Sequence, residues 1–82
     1  MYTVYSKPAC PHCDQAKALL QSKNLPYEVI HLDVGQPKAL NETYISREDL
    51  LAKIPTARTM PQIFNGDVHV GGFTELRQSL LT

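Results

Sequence analysis

The sequence predicts an α/β fold in which a four-stranded mixed sheet carries three helices, in the order β-α-β-α-β-β-α. A strand-like segment, a helix-like segment and a second strand-like segment occupy the first 34 residues. This order implies a right-handed crossover with parallel pairing of the two strands. Residues 61–70 give the clearest hairpin signal, because two short β-prone runs flank the turn-forming dipeptide Asn65-Gly66. The hairpin adds an antiparallel pair, and helices are expected on both faces of the sheet.

The first half of the chain contains the predicted crossover. Residues 2–6 (YTVYS) alternate and are rich in β-branched and aromatic side chains, which is typical of a strand. A helix should begin at Pro11 with Cys10 as its N-cap, since proline's missing N–H would have no partner in the first turn. It should end within residues 23–26 (KNLP), where asparagine tolerates left-handed backbone and proline blocks continuation. Residues 27–34 (YEVIHLDV) predict the second strand.

The second half contains two further helices beside the hairpin. Residues 35–44 show no clear period and are predicted to be a loop or an irregular turn. Residues 46–54 (SREDLLAKI) predict a short helix that is capped by Ser46 and ended by the following proline. The last helix is predicted over residues 74–81. The side chains expected to be buried in this half are Leu50, Leu51, Ile54, Phe73, Leu76 and Leu80.

The composition is that of one small domain, and we expect residues 1–82 to form a single unit. The eight basic and eight acidic side chains cancel, which gives no reason to expect nucleic acid or an anionic membrane as a partner. No apolar run approaches the roughly 20 residues that cross a bilayer. The first ten residues lack the basic start and apolar middle of a secretory signal. We therefore expect a location in the reducing cytoplasm, and nothing in the sequence suggests more than a monomer.

The only two cysteines, Cys10 and Cys13, form a C-x-x-C motif within KPACPHCDQAK at residues 7–17. A structural zinc site needs four ligands, and the chain has no second cysteine pair. Its three histidines would contribute only if the fold gathered them. Two buried, inert thiols are another interpretation, but the pair lies in a polar strand-to-helix loop beside Lys7, and such loops are commonly exposed.

A redox pair has a physical mechanism at this position. Free backbone N–H groups and the positive end of the dipole at a helix N-terminus stabilise a thiolate, which is the form that attacks a disulfide. Cys13 lies one turn after Cys10 on the same side of the helix, close enough to close a disulfide. A C-x-x-C motif beside a β-α-β pattern is typical of thioredoxin-like redox proteins.

Further motifs make the resemblance more specific. The segments RTMPQIF (58–64) and VGGFTEL (70–76) follow CPHC (10–13) and the SREDL helix at matching intervals. With them, nearly the whole chain resembles the glutaredoxin family, within the thioredoxin-like fold. The family's usual active site reads C-P-Y-C, so His12 stands where tyrosine is common. The resemblance implies that Cys10 and Cys13 are catalytic and alternate between a dithiol and a disulfide.

The resemblance also implies a glutathione site. It implies a cis bond before Pro61, with the Met60 backbone pairing with the cysteine of glutathione like an added strand. Helix N-terminal N–H groups would bind the γ-glutamyl carboxylate, and Lys7 would meet the glycyl carboxylate. Many relatives have aspartate in place of Glu75. The implied site comprises Lys7, His12, Thr59, Met60, Pro61, Gly72, Phe73, Thr74 and Glu75, with Tyr5 and Arg58 as weaker candidates.

Three residue roles keep two interpretations each. Pro61 could simply be the first residue of a strand, and Thr74 and Glu75 could be plain helix-capping residues. A protonated His12 would stabilise the Cys10 thiolate; alternatively, the ring replaces tyrosine as a lid over the sulfur.

The function that the resemblance implies is glutathione-dependent reduction of protein disulfides and glutathione mixed disulfides. Cys10 would attack the disulfide, Cys13 would resolve the mixed disulfide with a protein, and glutathione would reduce the resulting pair. Glutathione is then a co-substrate, and no permanently bound cofactor is expected. Disulfide-containing proteins are the expected partners, with ribonucleotide reductase as one candidate.

Two other functions stay open. A redoxin reduced by a flavoprotein reductase has a similar size, but such proteins typically end with a tryptophan-containing SGF segment. This chain has no tryptophan and carries GGFTE at residues 71–75, which favours glutathione. An iron–sulfur carrier would hold a cluster between two chains. Pro11 stiffens the active-site loop here, and relatives known for clusters often lack that proline.

Overall fold

In the computed structural model, residues 1–81 are described and form a five-stranded mixed sheet with three helices. Thr82, the last residue of the predicted domain, lies outside the described residues. The strand order is β3-β2-β1-β4-β5, with β1 parallel to β2 and antiparallel to β4, so the predicted crossover and hairpin are confirmed. The elements are β1 (Tyr2–Ser6), α1 (Pro11–Ser22), β2 (Tyr27–Leu32), β3 (Thr43–Ile45), α2 (Arg47–Lys53), β4 (Gln62–Asn65), β5 (Val68–Gly71) and α3 (Phe73–Leu80).

The short strand β3 corrects the prediction of four strands. Residues 43–45, in and just beyond the predicted loop 35–44, pair in parallel with residues 30–32 at one edge of the sheet. Three residues are too few to show the alternation from which a strand is predicted. The predicted second strand also ends early, at Leu32, because the Asp33 carboxylate accepts a hydrogen bond from the Gly35 N–H at 3.0 Å and turns the chain.

The helix ends follow their capping residues. Cys10 caps α1 in an extended conformation, and Asn24 has a left-handed φ of 56° beyond its end, both as predicted. The Ser46 hydroxyl caps α2 by accepting from the Asp49 N–H at 3.0 Å. Helix α3 lies one residue earlier than predicted at both ends, because Gly72 takes its N-cap position. No helix within residues 1–81 is long and apolar enough to cross a membrane.

The β4–β5 turn is shifted by one residue from the predicted Asn65-Gly66. Asn65 pairs with Val68, so Gly66 and Asp67 are the two turn residues. Gly66 has a φ of 60°, and a glycine with positive φ at the first turn position is what a type II′ hairpin requires. The hairpin itself is as predicted, with Asn65 ending β4.

Two apolar clusters cover the two faces of the sheet. Val4 in β1 packs against Leu20 of α1 and Leu76 of α3, all without solvent exposure. Tyr5, the next residue in the strand, packs on the opposite face against Leu50 of α2, as the alternation of side chains along a strand requires. Helices therefore lie on both faces, as predicted.

One residue predicted to be buried lies at the surface. Leu51 is 39% exposed, whereas its neighbour Leu50 is 4% exposed. Successive residues of an α-helix are rotated by about 100°, so the face of α2 that buries Leu50 and Ile54 leaves Leu51 outside. The other predicted side chains do pack into the two clusters: Leu50, Ile54, Phe73, Leu76 and Leu80.

Candidate active site

The two cysteines form a disulfide at the start of α1, with their Cα atoms 5.2 Å apart. The Sγ of Cys10 also accepts a hydrogen bond from the Cys13 N–H at 3.1 Å and so caps the helix. Both are more buried than a loop position predicts: Cys10 is 7% exposed and Cys13 is fully buried. An attacking group in solvent can therefore reach Cys10 but not Cys13.

A distant segment lies directly against Cys10. The carbonyl oxygen of Met60 is 3.7 Å from the Cys10 Sγ, although the two residues are 50 positions apart in the sequence. The Met60–Pro61 peptide bond is cis, as the family resemblance implies. The segment Thr59–Pro61 thus forms one wall of the space around the reactive sulfur.

An opening between this wall and the start of α3 is called the α3 groove. It has a volume of about 270 Å³. The ring of His12 stacks on the ring of Phe73 across it, with centroids 6.2 Å apart and 12° between the planes. The groove is lined by His12, Thr59, Met60, Pro61, Gly72, Phe73, Thr74 and Glu75, which are the implied glutathione residues without Lys7.

Glu75 caps the helix that borders the α3 groove. Its Oε1 accepts a hydrogen bond from the Gly72 N–H at 2.8 Å, which is the capping role that the sequence left open. The N–H groups of Phe73 and Thr74 belong to the first turn of α3, where an N–H has no partner within the helix. The positive N-terminal end of α3 therefore borders the groove. Glu75 is the one carboxylate among the groove residues.

A second opening, the α2 pocket, lies on the other side of the Thr59–Met60 wall and has a volume of about 170 Å³. Lys7 lies here, apart from the other implied glutathione residues but joined to them through Thr59 and Met60. Arg58, a weaker candidate, also lines it. The pocket is lined by Lys7, Leu32, Arg47, Leu50, Leu51, Ala57, Arg58, Thr59 and Met60.

Sequence reasoning missed Arg47 and Gln62. Arg47 follows the N-cap of α2, and only the packing of α2 beside the Thr59–Met60 wall brings it to the pocket. Gln62 is 8% exposed; its Nε2 donates to the Thr59 carbonyl at 2.7 Å and its Oε1 lies 2.8 Å from the His69 Nε2. It ties the wall to the hairpin. Gln62 lies within the RTMPQIF segment, where a polar side chain directly after Pro61 is the signal that could have found it.

Tyr5, the other weaker candidate, lies away from the openings, as does His31, for which no site role is predicted. Tyr5 is 4% exposed and packs edge-to-face on Phe64 in the core, with ring centroids 5.9 Å apart. His31 bonds to the Glu42 carboxylate and contacts the Tyr44 ring near the β3 edge of the sheet.

Comparison with known proteins identifies the family. The glutaredoxin family model matches residues 2–70. The chain belongs to the glutaredoxin family. It is 39% identical to the glutaredoxin of Neisseria meningitidis serogroup A over 74 residues, which cover 90% of this chain and 78% of that relative. Its fold is the predicted thioredoxin-like one: glutaredoxin 1 from Francisella tularensis superimposes with a TM-score of 0.69 at 26% identity, covering 95% of this chain and 88% of that chain.

Some glutaredoxin relatives are longer than this chain. The match to glutaredoxin 1 of Rickettsia felis, at 39% identity over 69 residues, covers 84% of this chain but 61% of that relative. The residues that the family model matches include both cysteines and the Thr59–Pro61 wall. Family membership therefore identifies Cys10–Cys13 as the redox-active disulfide of the glutaredoxin domain.

Proposed function

We propose that the protein is a glutathione-dependent thiol–disulfide oxidoreductase that reduces protein disulfides and glutathione mixed disulfides. One observation carries this proposal: the reactive Cys10 lies against the Thr59–Met60 wall that two openings of different charge share. The α3 groove offers helix N–H groups and one carboxylate, and the α2 pocket offers cations. Glutathione carries a carboxylate and an ammonium at its γ-glutamyl end and a carboxylate at its glycyl end, so its charges match both sides.

The proposed bound position follows from these charges. The γ-glutamyl carboxylate accepts hydrogen bonds from the N–H groups of Phe73 and Thr74 at the start of α3, and the ammonium faces Glu75. The glycyl carboxylate faces Lys7 in the α2 pocket. The backbone of Met60 pairs with the cysteine of glutathione like an added strand, next to the Cys10 sulfur.

The proposed reaction is a series of thiol–disulfide exchanges. The Cys10 thiolate, held by the Cys13 N–H, attacks a client disulfide, and the departing client sulfur leaves as a thiolate that takes up a proton. The Cys13 thiolate then attacks the Cys10 sulfur, which releases the reduced client and forms the Cys10–Cys13 disulfide. One glutathione thiolate opens this disulfide at Cys10, and a second removes the first as oxidised glutathione.

We propose disulfide-containing proteins as clients, with ribonucleotide reductase as one candidate, in a compartment such as the cytoplasm where glutathione is kept reduced. Family membership supports this class of client. A glutathione mixed disulfide needs only one thiol for its reduction, because Cys10 can accept and return the glutathionyl group without Cys13.

The test is a coupled assay with glutathione and glutathione reductase on wild type, Cys10→Ser and Cys13→Ser. Reduction of a glutathione mixed disulfide should be lost in Cys10→Ser and retained in Cys13→Ser, whereas reduction of a protein disulfide should fail in both. Ser22→Ala, on the same helix, serves as a control that should behave as wild type. A wild-type protein that is inactive with glutathione but active with thioredoxin reductase would show the proposal to be wrong.

A further inference from the structure

The α2 pocket carries three cations and no carboxylate among its lining residues. Lys7, Arg47 and Arg58 all line it. All three are exposed, and none takes part in the ion pairs found within residues 1–81. Its lining also contains apolar side chains, among them Leu51, which is 39% exposed. The pocket thus combines unpaired positive charge with open apolar surface.

Glutathione leaves most of this surface unused. Its glycyl end presents a single carboxylate to three cations, and glycine has no side chain to cover the apolar lining residues. A surface with spare cations and spare apolar area suits a ligand with additional negative charge and an apolar side chain. Protein clients, unlike glutathione, continue beyond the residue that follows their cysteine.

We infer that the α2 pocket receives the residues that follow the reactive cysteine of a protein client, and that it selects an acidic residue with an apolar neighbour. This inference rests on the proposed function. The α2 pocket has three cations and no carboxylate among its lining residues, whereas Glu75 lines the α3 groove, so the α2 pocket is the more favourable side for an acidic segment. An extended segment advances about 3.3 Å per residue, which brings the first residues after the client cysteine to the pocket.

The selection acts when the client disulfide is attacked. The Cys10 thiolate forms a bond to one client sulfur, and the other client sulfur leaves with the electron pair and takes up a proton. The Met60 carbonyl lies 3.7 Å from the Cys10 Sγ, so the joined client cysteine sits beside the wall shared by the two openings. Contacts in the α2 pocket then stabilise the mixed disulfide between Cys10 and the client relative to the mixed disulfide between Cys10 and glutathione.

The experiment uses the Cys13→Ser protein, in which the Cys10 adduct is not resolved. Its glutathione adduct is equilibrated with acetyl-Ala-Cys-Asp-Leu-amide or acetyl-Ala-Cys-Asn-Leu-amide, and the protein–peptide adduct is quantified by mass spectrometry. The same pair is measured in the added Arg47→Gln/Arg58→Gln background, which cancels any intrinsic difference between the peptide thiols. Added Arg77→Gln, a cation of α3 outside the α2 pocket, is the matched control.

We expect the acidic peptide to be favoured roughly threefold to tenfold at low salt over the value in the double arginine variant. The preference should shrink at high salt and survive Arg77→Gln. An acid preference that is equal with and without the two arginines, or insensitive to salt in the Cys13→Ser protein itself, overturns the inference. Glutathione turnover by wild type, measured separately, reports on the proposed function alone.

Discussion

The imidazole of His12 and the phenyl ring of Phe73 lie nearly parallel, with centroids 6.2 Å apart. One residue stands between the two cysteines and the other opens α3. The stack therefore spans the α3 groove, in which the proposed function places glutathione. This aromatic contact favours the interpretation in which the His12 ring replaces tyrosine.

Replacing His12 separates the lid from the charge. We expect His12→Phe to keep the KM for glutathione within about twofold of wild type, and His12→Ala to raise it about twofold to tenfold, because aromatic pairs contribute about 0.5–1.5 kcal/mol. Steady-state kinetics of mixed-disulfide reduction give both values, with His31→Ala as a control outside the groove. Equal losses in the Phe and Ala variants would instead support electrostatic tuning of Cys10.

Glu75 has a capping role and a proposed charge role that different substitutions distinguish. Glu75→Gln keeps an oxygen for the Gly72 N–H but loses the charge proposed to face the ammonium. We expect its KM for glutathione to rise about twofold to fivefold, with little change in urea stability. Glu75→Ala should show the same KM effect and also lose about 1 kcal/mol of unfolding free energy. An unchanged KM in both variants would leave Glu75 with capping alone.

Gln62 is predicted to be a positioning residue for the Thr59–Met60 wall. Gln62→Met keeps the side-chain length but removes the hydrogen bond to the Thr59 carbonyl. We expect a several-fold higher KM for glutathione, a smaller change in kcat, and a loss of about 1–3 kcal/mol in stability. His69→Phe preserves the ring on Phe64 and the Gln62–Thr59 bond, so its KM should stay near wild type. If KM rises equally in both variants, the positioning role is refuted.

Gly71 is predicted to be intolerant of any side chain. Its φ is 122°, and a Cβ there would lie 2.8 Å from the Glu75 Oε1 and 2.9 Å from the Glu75 Cγ. Gly71→Ala should lower the unfolding free energy by about 2–3 kcal/mol. Gly66→Ala, with a φ of 60° and no atom within 4 Å of its Cβ, should cost only about 1 kcal/mol. Urea titrations compare the two, and equal costs would contradict the steric argument.

Asp33 gives the fold a small pH dependence in acid. The hydrogen bond from the Gly35 N–H, with Lys38 beside it, lowers the pKa of the Asp33 carboxyl below its usual 3.8. A lowered pKa stabilises the fold above the unfolded-state value, and this stabilisation is lost as the pH falls through the folded-state value. Asp33→Asn should therefore be less stable than wild type at neutral pH and equal to it in strong acid. Urea titrations at neutral pH and in acid measure the two unfolding free energies, and a difference between them that does not change with pH would contradict the prediction.

The sequence predicts what depends on local chemistry. The Cys10 cap, the left-handed Asn24 and the Ser46 cap each rest on residues within one or two turns, and each is present. The sequence predicts neither the three-residue β3 nor the exposure of Leu51. Strand pairing and the direction of a helix face are set by contacts between distant segments. The family resemblance supplied the cis bond before Pro61, which no local pattern distinguishes from a trans one.

The site was predictable to the same extent. The residues of the α3 groove fall within recognisable motifs, so the resemblance named them. Arg47 and Gln62 lie within the SREDL and RTMPQIF segments, but nothing in those segments points to a role at the site, and their positions beside the Thr59–Met60 wall arise only when α2 and β4 pack there. Their roles are long-range properties of the fold.

The cap at the start of α1 separates two duties of residue 13. The N–H that holds the Cys10 sulfur belongs to the main chain, whereas the resolving thiol belongs to the side chain. Loss of the thiol at this position therefore leaves the nucleophile supported. Under the proposed function, a single-codon change at position 13 would therefore convert a two-cysteine reaction into a one-cysteine reaction on glutathione mixed disulfides.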